Sequence, residues 1–202
     1  MIPVPPAAST PQHPWPASFW VTARADDPPR LLGSQFPGAT EPEWMTERLG
    51  RLLDLDVRTL VCLQPLGERG RGGDLFPDHL TAFERLAATR ALAVTTHRLP
   101  ITDMGVPAPD LMRGILDAIA EGLLRSRVLV HCWGGHGRTG TVVGCWLREQ
   151  GLDGEAALAT LAAARRHHNF GQPAPQTDDQ RRFIHGWSWP DSKRIAFVST
   201  QR

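Results

Sequence analysis

The 202-residue sequence lacks the features that mark several large classes of protein. Its three cysteines are odd in number and stand far apart, so they offer neither a disulfide framework nor the ligand spacing of a zinc site. The net charge of +1 argues against a protein that binds nucleic acid through electrostatic attraction. No segment approaches the run of about 18 apolar residues that spans a membrane, and the first residues lack the charged end and apolar stretch of a signal peptide. We therefore expect a cytoplasmic protein whose cysteines stay reduced.

Composition and length also predict the domain organisation. The first 16 residues contain six prolines, which predicts an extended arm over residues 1–17 with neither helix nor strand. The length that follows is enough for one α/β domain with a sizeable core, and we predict this domain over residues 18–190. Residues 191–202 are then a C-terminal tail, and no internal repeat divides the chain.

The most informative segment is the glycine-rich stretch His131–Gly140, which stands between two contrasting patterns. The apolar run Val128–Val130 before it predicts a buried strand, and the spacing of apolar side chains in residues 142–147 predicts a helix. The first N–H groups of a helix have no partner within it. A loop that joins a strand to a helix in this way therefore directs backbone N–H groups at an anion.

Two side chains of this stretch are suited to react with, or to bind, an anion held by such a loop. We expect Cys132, in an electropositive loop, to ionise near neutral pH and to act as a nucleophile. Arg138, where the loop returns, carries a planar fork of donors that matches two phosphate oxygens. A lone cysteine at a strand end is usually a small buried hydrophobe, but here the whole stretch agrees with the chemical interpretation. A nucleophile beneath an anion site of this shape indicates phosphoryl transfer through a covalent cysteine intermediate.

The same positions resemble the P-loop of the cysteine-dependent protein tyrosine and dual-specificity phosphatases, and they are most similar to its compact bacterial dual-specificity-like branch. The resemblance implies that Cys132 is the nucleophile and that Arg138 clamps the transition state. It further implies that Thr139 offers its hydroxyl to the sulfur and that His131 stiffens the loop from behind. The backbone amides that would hold the phosphate belong to Trp133, Gly134, Gly135, His136, Gly137 and Arg138.

The mechanism also needs an acid that protonates the leaving oxygen. Asp103 is the best candidate, because it follows a predicted strand (Val94–Leu99) in a loop rich in glycine and proline, and this loop resembles the general-acid loop of the family. Two other acids compete for the role. Asp78 and Asp110 each open an apolar helical pattern, so we interpret Asp78 as a helix N-cap and Asp110 as a first-turn carboxylate.

A further loop, Gln176–Gln180, resembles the glutamine loop with which the family positions the water that cleaves the phosphocysteine. Thr177 and Gln180 also have the spacing of a capping box, so Gln180 is equally explained as the cap of its own helix. Gln176 lies one residue outside that helix and is freer to face the site. Either glutamine remains a candidate.

These patterns predict an α/β protein with a single-domain phosphatase fold, a central mostly parallel sheet flanked by helices, and the P-loop between a buried strand and a helix. The site would lie at the carboxyl end of that strand. We expect no cofactor and no metal, because the loop amides and Arg138 stabilise the developing charge.

The expected substrate is a phosphorylated protein or a small phosphomonoester, and the expected activity is that of a protein tyrosine/dual-specificity phosphatase. A phosphoinositide or RNA 5′-phosphate phosphatase on the same site remains an alternative, as does a non-catalytic phosphate-binding module. We expect neither a nucleic-acid partner nor insertion into a membrane.

Overall fold

The computed structural model describes residues 11–70, 72–167 and 171–188. Most of the predicted N-terminal arm and all of the predicted C-terminal tail lie outside these residues. The described part of the arm, residues 11–17, contains no helix or strand.

A five-stranded sheet forms the centre of the molecule, with the strand order β1-β2-β5-β3-β4. Four of its strands run parallel, and β1 pairs antiparallel with β2 at one edge. The strands are β1 (Ser18–Val21), β2 (Leu31–Ser34), β3 (Val57–Cys62), β4 (Thr95–Arg98) and β5 (Arg127–His131). The predicted α/β architecture with a mostly parallel sheet is therefore confirmed.

Six helices cover the sheet in the described part of the chain, and sequence signals explain where most of them begin. Proline stands at the start of two of them, and the side chain of Asp153 accepts a hydrogen bond from the Ala156 N–H at 2.8 Å. The helices are α1 (Pro42–Asp54), α2 (His79–Thr89), α3 (Pro109–Arg125), α4 (Gly137–Glu149), α5 (Gly154–Ala164) and α6 (Asp178–Gly186).

The helices divide between two hydrophobic clusters, because successive side chains of a strand point to opposite faces. Val128 and Val130 belong to the cluster formed with α3, α4, α5 and α6, whereas Leu129 belongs to the cluster formed with α1 and α2. Cys132 lies in the first cluster and Cys62 in the second. The buried central strand β5 thus separates two different environments. The loops after β2, β3, β4 and β5 converge at the carboxyl end of the strands.

Candidate active site

The loop between β5 and α4 (residues 132–136), which we call the phosphate loop, is anchored by its neighbours on both sides. The Phe36 N–H donates to the Trp133 carbonyl at 2.8 Å, and the Leu63 N–H donates to the His131 carbonyl at 2.9 Å. Inside the loop, the Gly135 N–H donates to Cys132 Sγ at 3.3 Å, and the Cys132 side chain is only 2% exposed. The sulfur therefore faces at least one oriented backbone donor.

Gly135 is required by the course of the backbone. Its φ is +75°, and a Cβ atom there would stand 2.5 Å from the backbone nitrogen of Gln35. Both the left-handed conformation and the close approach to the end of β2 exclude a side chain. The glycine thus lets the loop turn back onto the sheet with its N–H directed at the sulfur.

Arg138, in the first turn of α4, is held by a carboxylate that the sequence did not identify. Its Nη1 and Nη2 donate to Glu68 Oε2 and Oε1 at 2.6 and 2.9 Å, and Nη1 also reaches the Ile101 carbonyl at 3.4 Å. The guanidinium is 1% exposed, and its Nε has no hydrogen-bond partner among the described residues. Burial alone lowers the pKa of Arg138, but the Glu68 hydrogen bonds and the surrounding negative charge raise it overall.

A positional signal for Glu68 exists in the sequence. The residue lies in the loop that follows β3, and β3 neighbours β5 in parallel. Loops after neighbouring parallel strands meet at one edge of the sheet, so an acid there is a natural partner for an arginine after β5. No local motif marks it, because its role depends on strand order rather than on spacing.

Asp103 lies where the prediction placed an acid. Its Oδ1 is 3.1 Å from Arg138 Nη2, and its side chain is 56% exposed. The two competing acids have the helix roles predicted for them. Asp78 is the N-cap of α2 and accepts hydrogen bonds from the N–H and hydroxyl of Thr81, which lower its pKa, while Asp110 lies in the first turn of α3.

A cavity of about 650 Å³ opens over these groups. Its wall includes Asp103, Cys132 and most of the residues proposed to hold phosphate: Trp133, Gly134, His136, Gly137 and Arg138. Gly135 is not part of the wall, since it packs against β2. Gln35, Met104 and Gln172 also line the cavity and were not singled out from the sequence.

The two candidate glutamines occupy different positions. Gln176 lines the cavity, whereas Gln180 is completely buried and completes the predicted capping box with Thr177. Gln180 Oε1 accepts from the Gln176 and Thr177 N–H groups at 3.0 and 3.2 Å, and its Nε2 donates to the Gly105 carbonyl at 3.0 Å. Gln180 therefore joins α6 to the loop that carries Asp103 and does not face the cavity, which favours Gln176 over Gln180 for contact with a water.

The supporting residues differ in how they meet the roles that the resemblance implies. The Thr139 hydroxyl lies 3.4 Å from the Ser34 carbonyl, to which it donates. His136 Nδ1 lies 2.9 Å from the Gly134 carbonyl, and burial lowers the pKa of His136. Thr139 thus links α4 to the end of β2, and the role of its hydroxyl toward the sulfur stays a prediction.

Behind the phosphate loop, His131 belongs to a group of three buried side chains with Cys62 and His79, which we call the buried cluster. The Nε2 atoms of His79 and His131 are 2.9 Å apart. Burial lowers the pKa of His79 to about 4 and that of His131 well below its ordinary value, and it raises the pKa of the Cys62 thiol to about 11. All three groups are therefore uncharged at neutral pH.

Comparison with known proteins identifies relatives of this arrangement. The family model described as "Swiss Army Knife protein, DSP-PTPase phosphatase domain" (PTP-SAK) matches residues 37–184. An Arabidopsis thaliana protein named phosphatidylinositol 3,4,5-trisphosphate 3-phosphatase and protein-tyrosine-phosphatase PTEN1 is 32% identical over 94 residues, or 45% of this chain. Those residues are 22% of the plant protein, so the chain spans about a fifth of its length.

Solved structures share the fold over most of their length. The active form of Tk-PTP superposes with a TM-score of 0.61 at 25% identity, covering 84% of this chain and 95% of that one. The kinase associated phosphatase, in a form whose catalytic-site cysteine is replaced by serine, superposes with a TM-score of 0.68 at 22% identity, covering 88% and 94%. Within the described residues, no helix has the length and apolar character needed to cross a membrane.

Proposed function

Because the chain belongs to the PTP-SAK family of DSP-PTPase phosphatase domains and is a cysteine-based phosphatase of that superfamily, we propose that it hydrolyses phosphomonoesters through a phosphocysteine intermediate. Its proposed substrates are proteins that contain phosphotyrosine or phosphoserine/threonine. One observation carries this proposal. Glu68 fixes Arg138 through Nη1 and Nη2, while the Nε atom of Arg138 has no hydrogen-bond partner among the described residues. In the same site, Cys132 Sγ accepts a hydrogen bond from the Gly135 N–H.

In the first step, the Cys132 thiolate attacks phosphorus and the bond between phosphorus and the leaving oxygen breaks. Asp103 gives its proton to that oxygen, which departs as an alcohol or phenol. Arg138 and the loop amides stabilise the charge on the remaining phosphate oxygens as they pass through the transition state. The contact of Asp103 with Arg138 at 3.1 Å supports this assignment, since it holds the carboxyl beside the reacting group.

In the second step, water attacks the phosphocysteine and Asp103, now a carboxylate, accepts the proton of that water. Inorganic phosphate and the free thiolate are released. Gln176 is the residue that we assign to the water, because it lines the cavity, whereas Gln180 is committed to the cap of α6 and to Gly105.

A protein substrate agrees with the shape and lining of the cavity. Trp133 and Met104 offer apolar surface near Asp103, and such surface suits the ring of a phosphotyrosine. A phosphoinositide substrate is a second candidate, since the Arabidopsis relative is named for both activities.

The test is a rapid acid quench of the purified chain mixed with an aryl phosphate, with the phosphoenzyme located by mass spectrometry. We expect phosphate on Cys132, no phosphoenzyme in Cys132→Ser, and an unchanged signal in Cys145→Ser, which removes a buried cysteine of α4. Normal turnover by Cys132→Ser would contradict covalent cysteine catalysis. Turnover measured on phosphotyrosine and phosphoserine peptides and on phosphoinositides then decides the substrate, and a preference for the lipids overturns the protein assignment.

A further inference from the structure

Strand pairing and a helix start bring the three members of the buried cluster together. Cys62 ends β3, His131 ends β5, and the two residues are direct partners across these strands. His79 is the first residue of α2. The sulfur and the nearest ring nitrogens of the three side chains lie within 4.8 Å of one another, and each side chain is at most 2% exposed. We propose that Cys62, His79 and His131 bind one zinc ion, with a water of the adjoining cavity as the fourth ligand.

The hydrogen bonds of the two imidazoles carry the argument. The Nε2 atoms face each other at 2.9 Å, while His79 Nδ1 lies 3.5 Å from the Pro77 carbonyl and His131 Nδ1 lies 3.4 Å from the Cys132 carbonyl. Each neutral ring has one proton. If one ring donates from Nε2, its bare Nδ1 points at a carbonyl oxygen. If both rings donate from Nδ1, two lone pairs face each other.

A metal ion removes this conflict. Histidine ligands that bind metal through one nitrogen usually donate the other N–H to a carbonyl or carboxylate, and both rings here have a carbonyl at Nδ1. With protons on both Nδ1 atoms, both Nε2 lone pairs are free to coordinate one ion. The arrangement therefore has the outer hydrogen-bond partners of a metal site as well as its ligands.

The donor set and spacing suit zinc. One sulfur and two imidazole nitrogens are ligands of its borderline-soft character, and bond lengths of about 2.0–2.3 Å place tetrahedral ligands about 3.3–3.7 Å apart. The nitrogen pair at 2.9 Å must open slightly, and separations that reach up to 4.8 Å must close by at most about 1 Å. On binding, the Cys62 thiol proton leaves to solvent and the thiolate forms the bond to zinc.

A small cavity beside the cluster provides access and a fourth ligand. Its volume is about 40 Å³, and His79 and Gln64 are among the residues that line it. This volume exceeds the roughly 10–15 Å³ that one water requires. Gln64 is 2% exposed, and its Oε1 has no hydrogen-bond partner among the described residues. A zinc-bound water in the cavity would donate to this oxygen.

The charges around the cluster are balanced. Arg98 Nη1 lies 3.5 Å from Cys62 Sγ, where it favours the thiolate, and Arg98 Nη2 pairs with Asp78 at 3.6 Å. Glu68 also lines the small cavity, and its charge acts on the Cys62 sulfur. Asp78 pairs with Arg98 and Glu68 pairs with Arg138, so two acids offset two arginines and the cluster presents its nitrogen and sulfur ligands without a net positive surround.

The ion would serve structure rather than catalysis. His131 directly precedes the nucleophile, so a bond from zinc to its ring fixes the end of β5 from which the phosphate loop departs. This site is distinct from the cavity in which Cys132 and Asp103 act, and the failure of either proposal leaves the other standing.

The direct test uses the full chain, dialysed against a chelator and then titrated with zinc against a competing chelating dye. We expect one zinc per chain and an X-ray absorption spectrum with one sulfur and two imidazole nitrogens. A shell of oxygen and nitrogen only, or the absence of stoichiometric binding, overturns the proposal. This measurement uses the unaltered chain, so misfolding of a variant cannot affect its result.

Variants then assign the ligands. Cys62→Ser and His79→Gln should weaken zinc binding by more than about 100-fold, since even the loss of an outer hydrogen-bond partner costs about 10–100-fold. Cys145→Ser is the matched control for loss of a buried cysteine and should bind as the parent does. Retention of zinc by Cys62→Ser together with its loss in Cys132→Ser would place the ion on the catalytic cysteine and overturn the assignment.

Discussion

The cavity side of the phosphate loop and the buried cluster behind it contain the same kinds of side chain in opposite surroundings. On the cavity side, Cys132 accepts a hydrogen bond from a backbone N–H and shares the cavity wall with the charged side chains of Arg138 and Asp103. In the cluster, burial leaves Cys62, His79 and His131 uncharged. We therefore expect the reactivity of each residue at this sheet edge to follow from its environment rather than from its type.

The relative alkylation rates of the three cysteines test this comparison most directly. With a pKa of about 11, the Cys62 thiol is ionised to only about one part in 10⁴ at pH 7, and burial raises the pKa of Cys145 as well. We expect iodoacetamide to label Cys132 at least about 10³-fold faster than either, and vanadate to protect it. Peptide mass spectrometry over time measures the three rates, and equal labelling without protection would remove the distinction.

The next largest effect concerns the acid on the cavity side. Asp103→Asn should slow the hydrolysis of poor leaving groups by about 10²–10⁴-fold, because the leaving oxygen loses its proton donor. The deficit should shrink for aryl phosphates whose phenols leave readily as anions. Rates across a series of aryl phosphates measure this dependence.

Asp78→Asn and Asp110→Asn are the matched controls for that experiment. Both remove a helix-start carboxylate and should cost at most about 1 kcal/mol of stability, with the leaving-group dependence intact. A steeper dependence in Asp78→Asn than in Asp103→Asn would reassign the acid.

Glu68→Gln probes the carboxylate that fixes Arg138. A glutamine of the same shape replaces one acceptor oxygen by an NH₂ group, so the bidentate pair is lost and Arg138 is free to shift. We expect kcat to fall by about 10- to 100-fold, because displacement of a group by about 1 Å has a cost of this order. Inhibition by inorganic phosphate should weaken in parallel.

Glu47→Gln is the control for loss of an arginine partner. Glu47 pairs with Arg51 on the surface, where both side chains are more than half exposed, and its removal should leave kcat unchanged. Unaltered turnover and phosphate inhibition in Glu68→Gln would show that Arg138 needs no carboxylate to hold it.

The last prediction concerns stability, and it tests the uncharged state of the cluster. The folded chain holds the pKa of His79 near 4, against about 6.5 in the unfolded chain, so only the unfolded chain takes up the proton between these values. Stability contributed by His79 is therefore complete above pH 6.5 and falls by about 3 kcal/mol as the pH drops to 4. Urea unfolding of chelator-treated protein should show a shallower fall in His79→Gln, and equal slopes in both proteins would contradict the prediction.

The sequence predicted the parts of this molecule that local patterns specify. Strand, helix and capping signals located β4, β5, the start of α3 and the cap of α6 to within a residue or two, since each depends on neighbours along the chain. The strand order was not predictable in detail, nor was the pairing of β1 with β2. Both depend on contacts between segments far apart in sequence.

The same distinction governs the site. The positions of Cys132, Arg138 and Asp103 followed from motif and loop, and the structure brings them together at one cavity. Glu68 and His79 were missed, because they meet their partners only after β3 and α2 are placed beside β5. The direction of the Thr139 hydroxyl was also unpredictable, since it depends on the end of β2.

The hydrogen bond from Gln180 to the Gly105 carbonyl links α6 to the loop that carries Asp103, the proposed acid. A chain that stopped before α6 would keep Cys132, Arg138 and Asp103, yet the loop that carries Asp103 would lose this hydrogen bond. On the proposed mechanism, damage to α6 would therefore slow proton transfer by Asp103 without removing the acid itself.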